Sequence, residues 1–266
     1  MRLCPSSNVH QNPNPQIEAH EDPQKMKVIA AGLTDVGCVR RSNEDSLGLF
    51  PEHHLYIVAD GMGGHAAGEV ASRMAVQLIK EFFSSPEITE QTEEMKLARA
   101  INHANQKIHE AGEKDTSLSG MGTTVVTVIA RNEEMLIGFV GDSRVYLHQN
   151  NKTQQLTQDH SLVNEYVRKG LLTPEAAERH PLKHVISRAL GTSPAVEVET
   201  VRRTPASGDI LLLCSDGLSN KLTLAEISAI LTQTRDNLEK TCSALIEKAK
   251  EKGGEDNITV ILIGYR

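Results

Sequence analysis

Five aspartates and one glutamate stand where apolar segments begin or end. Asp60 closes the run LYIVA at 55–59 and is followed by three glycines in four residues, Gly61, Gly63 and Gly64. Asp142 follows MLIGFVG, Asp216 follows ILLLCS, Asp256 comes just before ITVILIG, and Glu44 and Asp45 precede SLGLF. Each alone reads as turn chemistry, because Asp-Gly pairs are common turn signals. If the strand ends converge, the reading changes. Two carboxylates about 4 Å apart repel by ~4 kcal/mol at an effective dielectric of about 20. Some must then stay protonated, or divalent cations must neutralise them. No cysteine or histidine group has ligand spacing, so oxygen-only ligation favours Mg²⁺ or Mn²⁺ over zinc. Bare glycine backbone beside Asp60 suits close approach to an ion or phosphate. Arg40 and Arg41 crowd the acids at 44–45; they read either as a charged hairpin edge or as a phosphate-binding arginine beside metal-binding acids. Spacing alone does not show convergence.

The elements that must position these residues follow from periodicity. Residues 55–59 read as a buried strand with Asp60 at its carboxyl end. A helix follows, with Ala67, Val70, Ala71, Met74, Leu78, Ile79 and Phe82 in one stripe. A second amphipathic helix spans 91–113, with His103 and His109 read as surface residues. Residues 27–34 predict a first strand, and the segments around Asp142 predict a hairpin with the acid at its tip. Two helices are expected near 223–232 and 236–251, before a final strand. Residues 159–190 break the strand rhythm around Gly170 and Pro174 and read as a surface flap, which shapes substrate access or merely connects. Residues 1–25 are rich in Pro, Asn, Ser and His without a period and read as a disordered tail.

Composition bounds the rest. A chain of 266 residues with 39% hydrophobic and 24% charged side chains can bury a sizeable core as a soluble protein. Aromatics are 3%, so that core must rest on aliphatic residues. A net charge of -7 with no basic stripe argues against nucleic acid as a partner. The four cysteines, Cys4, Cys38, Cys214 and Cys242, form no C-x-x-C pair and read as reduced thiols. No run approaches the ~18 to 20 apolar residues of a membrane span. The start of the chain lacks a signal-peptide core. No membrane partner and a cytoplasmic location are expected.

The order VRRSNED, ADGMGGHAAGEV, GMGTT, GDSRVYL, SDGL and EDNITV resembles the metal-dependent protein phosphatase 2C family in its bacterial form. The resemblance covers about residues 27–266. It implies an α+β fold, a four-layer α-β-β-α sandwich of two mainly antiparallel sheets flanked by helices, with metals in the cleft at the strand ends. It implies one catalytic domain over 26–266. Asp60 would bridge two Mg²⁺ or Mn²⁺ ions, with the Gly61 carbonyl on one and Asp216 and Asp256 on the other. Glu44 and Asp45 match an acidic pair acting through metal-bound water, and Asp142 matches an acid at a third, weaker ion. Arg40 matches the phosphate-binding arginine. Met62 fills a position where some relatives place a histidine, so His65 as general acid stays open. The implied reaction is hydrolysis of phosphoserine and phosphothreonine in proteins by a metal-activated water at a binuclear centre. The implied partners are phosphoproteins and a cognate kinase, and the implied state is a monomer. Two alternatives stand beside it: a phosphoprotein-binding regulator with weak turnover, and a phosphohydrolase of small esters.

Overall fold

Several strands are apolar at every position, which requires cover on both faces of their sheet. In β5 (Val125–Ala130), Val125 and Ile129 face helices while Val126, Val128 and Ala130 face the other sheet. In β11 (Ile258–Tyr265), Ile258, Val260 and Leu262 face helices, and Ile261, Ile263 and Tyr265 point between the sheets. Three apolar layers therefore separate four structural ones. The computed structural model describes residues 26–63, 67–85, 92–234 and 236–266. The expected tail at 1–25 and His65 lie outside the described residues.

The remaining strands are β1 (Val28–Asp35), β2 (Asp45–Phe50), β3 (Leu55–Met62), β4 (Gly122–Thr123), β6 (Met135–Val140), β7 (Arg144–Gln149), β8 (Lys152–Gln155), β9 (Glu199–Arg203) and β10 (Ile210–Cys214). One sheet runs β1-β11-β10-β7-β8; the other runs β2-β3-β5-β6-β9, with β4 paired to β3. The pairings are antiparallel. Helices α1 (Ala67–Ser84) and α2 (Glu93–Lys114) cover the second sheet, and α6 (Leu224–Thr234) and α7 (Leu238–Glu251) cover the first. The flap holds α3 (Leu162–Arg168) and α4 (Pro174–Glu178), and α5 (Asp216–Ser219) is a single turn after β10. Local chemistry starts these helices where they begin. Thr92 caps α2 through Met95 N–H, and Asn237 caps α7 through Lys240 N–H. Thr223 and Glu226 form a reciprocal capping box at α6.

Three expectations change. β3 does not stop before Asp60 but runs on to Met62, because Gly61 and Met62 pair with Thr123 and Gly122. The strands around Asp142 are not a hairpin: β6 belongs to one sheet and β7 to the other, so Gly141-Asp142-Ser143 crosses between them. The buried stripe of α1 takes in Ala75 and Val76 and leaves Met74 and Leu78 half-buried. The second helix holds, but its histidines are half-buried; His109 Nδ1 lies 3.0 Å from the Gly191 carbonyl oxygen.

Candidate active site

Strand register brings the acids to one end of the sandwich. Asp45 stands opposite Asp60 where β2 begins and β3 nears its end. In the other sheet, Cys214 at the end of β10 stands opposite Arg144 at the start of β7 and Val260 near the start of β11. Asp216, Asp142 and Asp256 therefore emerge together. Polar side chains tie the two sheet ends. Ser215 Oγ and Thr259 Oγ1 donate to Asp45 Oδ2 at 2.8 and 2.6 Å. The hydroxyls of Thr124 and Ser143 lie 2.7 Å apart, and Asp60 N–H donates to Thr124 Oγ1 at 3.1 Å.

Two glycines permit this approach. A Cβ at Gly61 would be driven into the carbonyl oxygens of Gly68 and Glu44. A Cβ at Gly217 would be driven into the Asn257 carbonyl, so the loop carrying Asp216 lies directly on the loop carrying Asp256. Asn257 is buried and completes the frame: its Nδ2 donates to Val36 and Ser42 carbonyls, and its Oδ1 accepts from Glu44 N–H at 2.8 Å. This fixes the 36–44 loop against the start of β11.

The electrostatics are those of crowded carboxylates. Burial, opposed by its two hydroxyl donors, raises the Asp45 carboxyl to about 7. Burial, then Asp45, Asp216, Asp142 and Asp256, push Asp60 well above the usual carboxylate range. Burial, then Asp256, raises Asp216, which accepts a hydrogen bond from Asn220 Nδ2 at 3.1 Å. Burial and the neighbouring Asp216 raise Asp142 to about 7, and burial raises Glu44. Arg40 Nη2 donates to Asp256 Oδ2 at 2.9 Å, which raises the guanidinium pKa.

The structure thus gathers Glu44, Asp45, Asp60, Gly61, Asp142, Asp216 and Asp256 at one end, with Arg40 at the rim. Among the described residues, no three acids, histidines or cysteines stand ready-made around one point. Asp45 is turned to Ser215 and Thr259, and Asp256 to Arg40. The donor chemistry nonetheless fits hard divalent cations. Ligation would be all oxygen, and the raised carboxyls mark negative charge that the protein alone does not neutralise.

The flap is clamped to this end. His160 donates its N–H to the Gly141 carbonyl at 2.9 Å, and its Nδ1 accepts Gly141 N–H at 3.1 Å. Its ring stacks on Phe139 with centroids 5.3 Å apart, and burial lowers its pKa. Its Nε2 lies 3.1 Å from Glu199 Oε1 without hydrogen-bond alignment. Glu199 also meets Arg168 at 3.2 Å and Arg188 at 3.3 Å, one from each half of the flap. Arg144, half-buried at the cleft wall, forks onto Asp159 at 2.6 to 3.1 Å.

A family model described as protein phosphatase 2C matches residues 40–252. The chain belongs to the protein phosphatase 2C family. The serine/threonine phosphatase stp of Listeria innocua is 45% identical over 235 residues, which covers 86% of this chain and 93% of that protein. A solved serine/threonine phosphatase of S. agalactiae superposes with a TM-score of 0.84 at 37% identity, covering 90% of this chain and 100% of that one. The catalytic domain of the serine/threonine protein phosphatase PstP, solved in complex with two manganese ions, gives 0.78 at 34% identity, over 90% and 99% of the two chains. As a phosphatase of this family, the protein is a metal-dependent enzyme acting on phosphoproteins. Its two sheets and outer helices are the expected α-β-β-α arrangement. No helix among the described residues is long and apolar enough to cross a membrane.

Sequence reasoning passed over Ser215, Thr259, Asn257, His160 and the Arg144–Asp159 pair. Adjacency gave no signal for them: Ser215 directly precedes Asp216 yet bonds Asp45, and Asn257 directly follows Asp256 yet holds the 36–44 loop.

Proposed function

We propose that this phosphatase hydrolyses phosphoserine and phosphothreonine at the carboxylate cluster between its sheet ends, with Asp60 at the centre. The observation that carries this is the convergence of Asp45, Asp142, Asp216 and Asp256 on Asp60, where burial and their charges hold the Asp60 carboxyl well above the usual carboxylate range. Asp60, the Gly61 carbonyl, Asp216 and Asp256 would hold two Mg²⁺ or Mn²⁺ ions; Glu44 and Asp45 would support them and Asp142 would serve a third. When bound, such cations supply Lewis acidity and lower the pKa of water from about 15.7 towards 7, giving a nucleophile at neutral pH. Ser215 and Thr259 hold Asp45 in place by hydrogen bonds that favour its charged form. Arg40, half-exposed and paired with Asp256 at 2.9 Å, would present its guanidinium fork to phosphoryl oxygens.

The cleft beside the acids has a volume of about 1210 Å³. Small-molecule sites run to roughly 300–1,000 Å³, so this one has room for peptide around the phosphate and supports a protein substrate over a small ester. The complete acid set supports turnover over mere binding. We further read residues 26–266 as one catalytic domain, working as a cytoplasmic monomer against a serine/threonine kinase; the free thiols of Cys38, Cys214 and Cys242 support a reducing compartment. The test is phosphate release from a phosphothreonine peptide with Mn²⁺ and with excess EDTA. Release that needs the cation is expected. Equal release in EDTA would overturn the reading.

A further inference from the structure

The cleft is chemically mixed. Asp142, Asp216 and Asp256 line it. Val163, Val167 and Pro174 of the flap also line it, as do Leu222 and Leu224 beside the start of α6. Leu224 is 45% exposed and Val167 is half-buried, so these apolar side chains are open to a ligand. The surroundings carry the same character. Of eight large apolar side chains exposed among the described residues, Leu171, Leu182 and Val185 belong to the flap, and Val36 and Val39 to the loop that packs on Asp256. With Leu224 in the cleft lining, six of the eight therefore lie on the flap, on the loop packed against Asp256 or in the cleft. Exposed apolar surface gathered round a polar centre is the mark of an interaction site.

A phosphorylated residue whose phosphate sits at the acid end must lay its neighbours along the cleft. We propose that Val167 and Leu224, which line the same cleft as Asp142, Asp216 and Asp256, form a subsite for an apolar side chain flanking the phosphoserine or phosphothreonine. The substrate class is thus an extended phosphoprotein segment carrying leucine, valine or a similar residue close to the phosphate. This rests on the phosphoprotein reading above and adds a specificity to it. The continuity of one cleft from carboxylates to leucines selects the substrate as occupant over other partners, because the phosphate and the apolar side chain then belong to one ligand.

The experiment compares kcat/KM for phosphothreonine peptides that differ only in having leucine or serine on each side of the phosphoresidue. Each value is divided by that for p-nitrophenyl phosphate, so that loss of folded enzyme cancels. The native protein is expected to favour the leucine peptide, on one side of the phosphate, by about tenfold. That preference is expected to fall below about threefold in Leu224→Gln and in Val167→Gln, each of which removes part of the apolar lining. Equal rates on leucine and serine peptides, or a preference that survives both substitutions, would overturn the subsite alone. Hydrolysis of the small ester with neither peptide touched would overturn the phosphoprotein reading itself. Flank-blind hydrolysis together with a native dimer that Leu224→Gln dissociates would assign the surface to a second copy, and so overturn the proposal.

Discussion

Asp45 illustrates how single residues set the chemistry. Its burial disfavours charge, and Ser215 and Thr259 oppose that by donating to it. Replacing Ser215 with alanine removes one donor, so the Asp45 pKa is expected to rise further. Mn²⁺ affinity at pH 7 should then fall by roughly 10- to 100-fold, the usual effect of losing a residue that orients a ligand; titration calorimetry reads this directly. The same logic fixes a pH dependence. Asp45 and Asp142, raised to about 7, would lose their protons when the proposed cations bind beside them. Cation affinity should strengthen from pH 6 to 8, with proton release visible as a binding heat that depends on the buffer. Constant affinity across that range would contradict the assignment. Asp60, Asp142, Asp216 and Asp256 were legible in the sequence because each interrupts a strongly apolar run. Ser215 and Thr259 were not, since their hydrogen bonds to Asp45 span 170 and 214 residues and leave no local pattern.

At the scale of elements, the acid end depends on backbone contact between loops. Gly217→Ala would force a Cβ against the Asn257 carbonyl, where backbone must move on both sides. A destabilisation of ~1–3 kcal/mol is expected, with a larger loss of activity than of folded protein, because Asp216 moves with its loop. Chemical denaturation and turnover together check it. The flap should respond separately. Glu199→Gln removes the charge on which Arg168 and Arg188 converge, and hydrogen exchange is expected to quicken in α3 while the β-sheets stay protected. The pairs are partly exposed, so the global cost should stay within about 1 kcal/mol. Periodicity made most elements readable, including α2, α6, α7 and the flap. It failed at the two places where a sheet partner decides. β3 continues past Asp60 because Gly61 and Met62 pair with β4, and β6 and β7 part into different sheets at Gly141. Sequence neighbours joined by a short turn look like a hairpin until the long-range partners are known.

Across the whole molecule, the acid cluster costs stability that the proposed cations would restore. Asp45 and Asp142 have folded-state pKa values raised from 3.8 to about 7. Their contribution to the metal-free fold is therefore complete below their ordinary pKa and is lost as pH rises through about 7. Metal-free protein is expected to melt at lower temperature at pH 8 than at pH 5.5. Mn²⁺ at about 100 times its Kd should add ~2.7 kcal/mol, a rise of roughly 5–10 °C for a domain of this size. A melting temperature indifferent to Mn²⁺ at pH 8 would oppose a cation site. The four-layer arrangement was legible through the family resemblance, whereas the cross-sheet hydroxyl ties that fasten its open end were not. The most direct measurement is a calorimetric titration of Mn²⁺ into the native protein and Asp60→Asn, with phosphothreonine turnover followed on the same samples. The expected result is two strong equivalents in the native protein and the loss of at least one in Asp60→Asn, with turnover reduced by ~10²–10³ or more. Undiminished Mn²⁺ binding and turnover in Asp60→Asn would contradict a cation site centred on that residue.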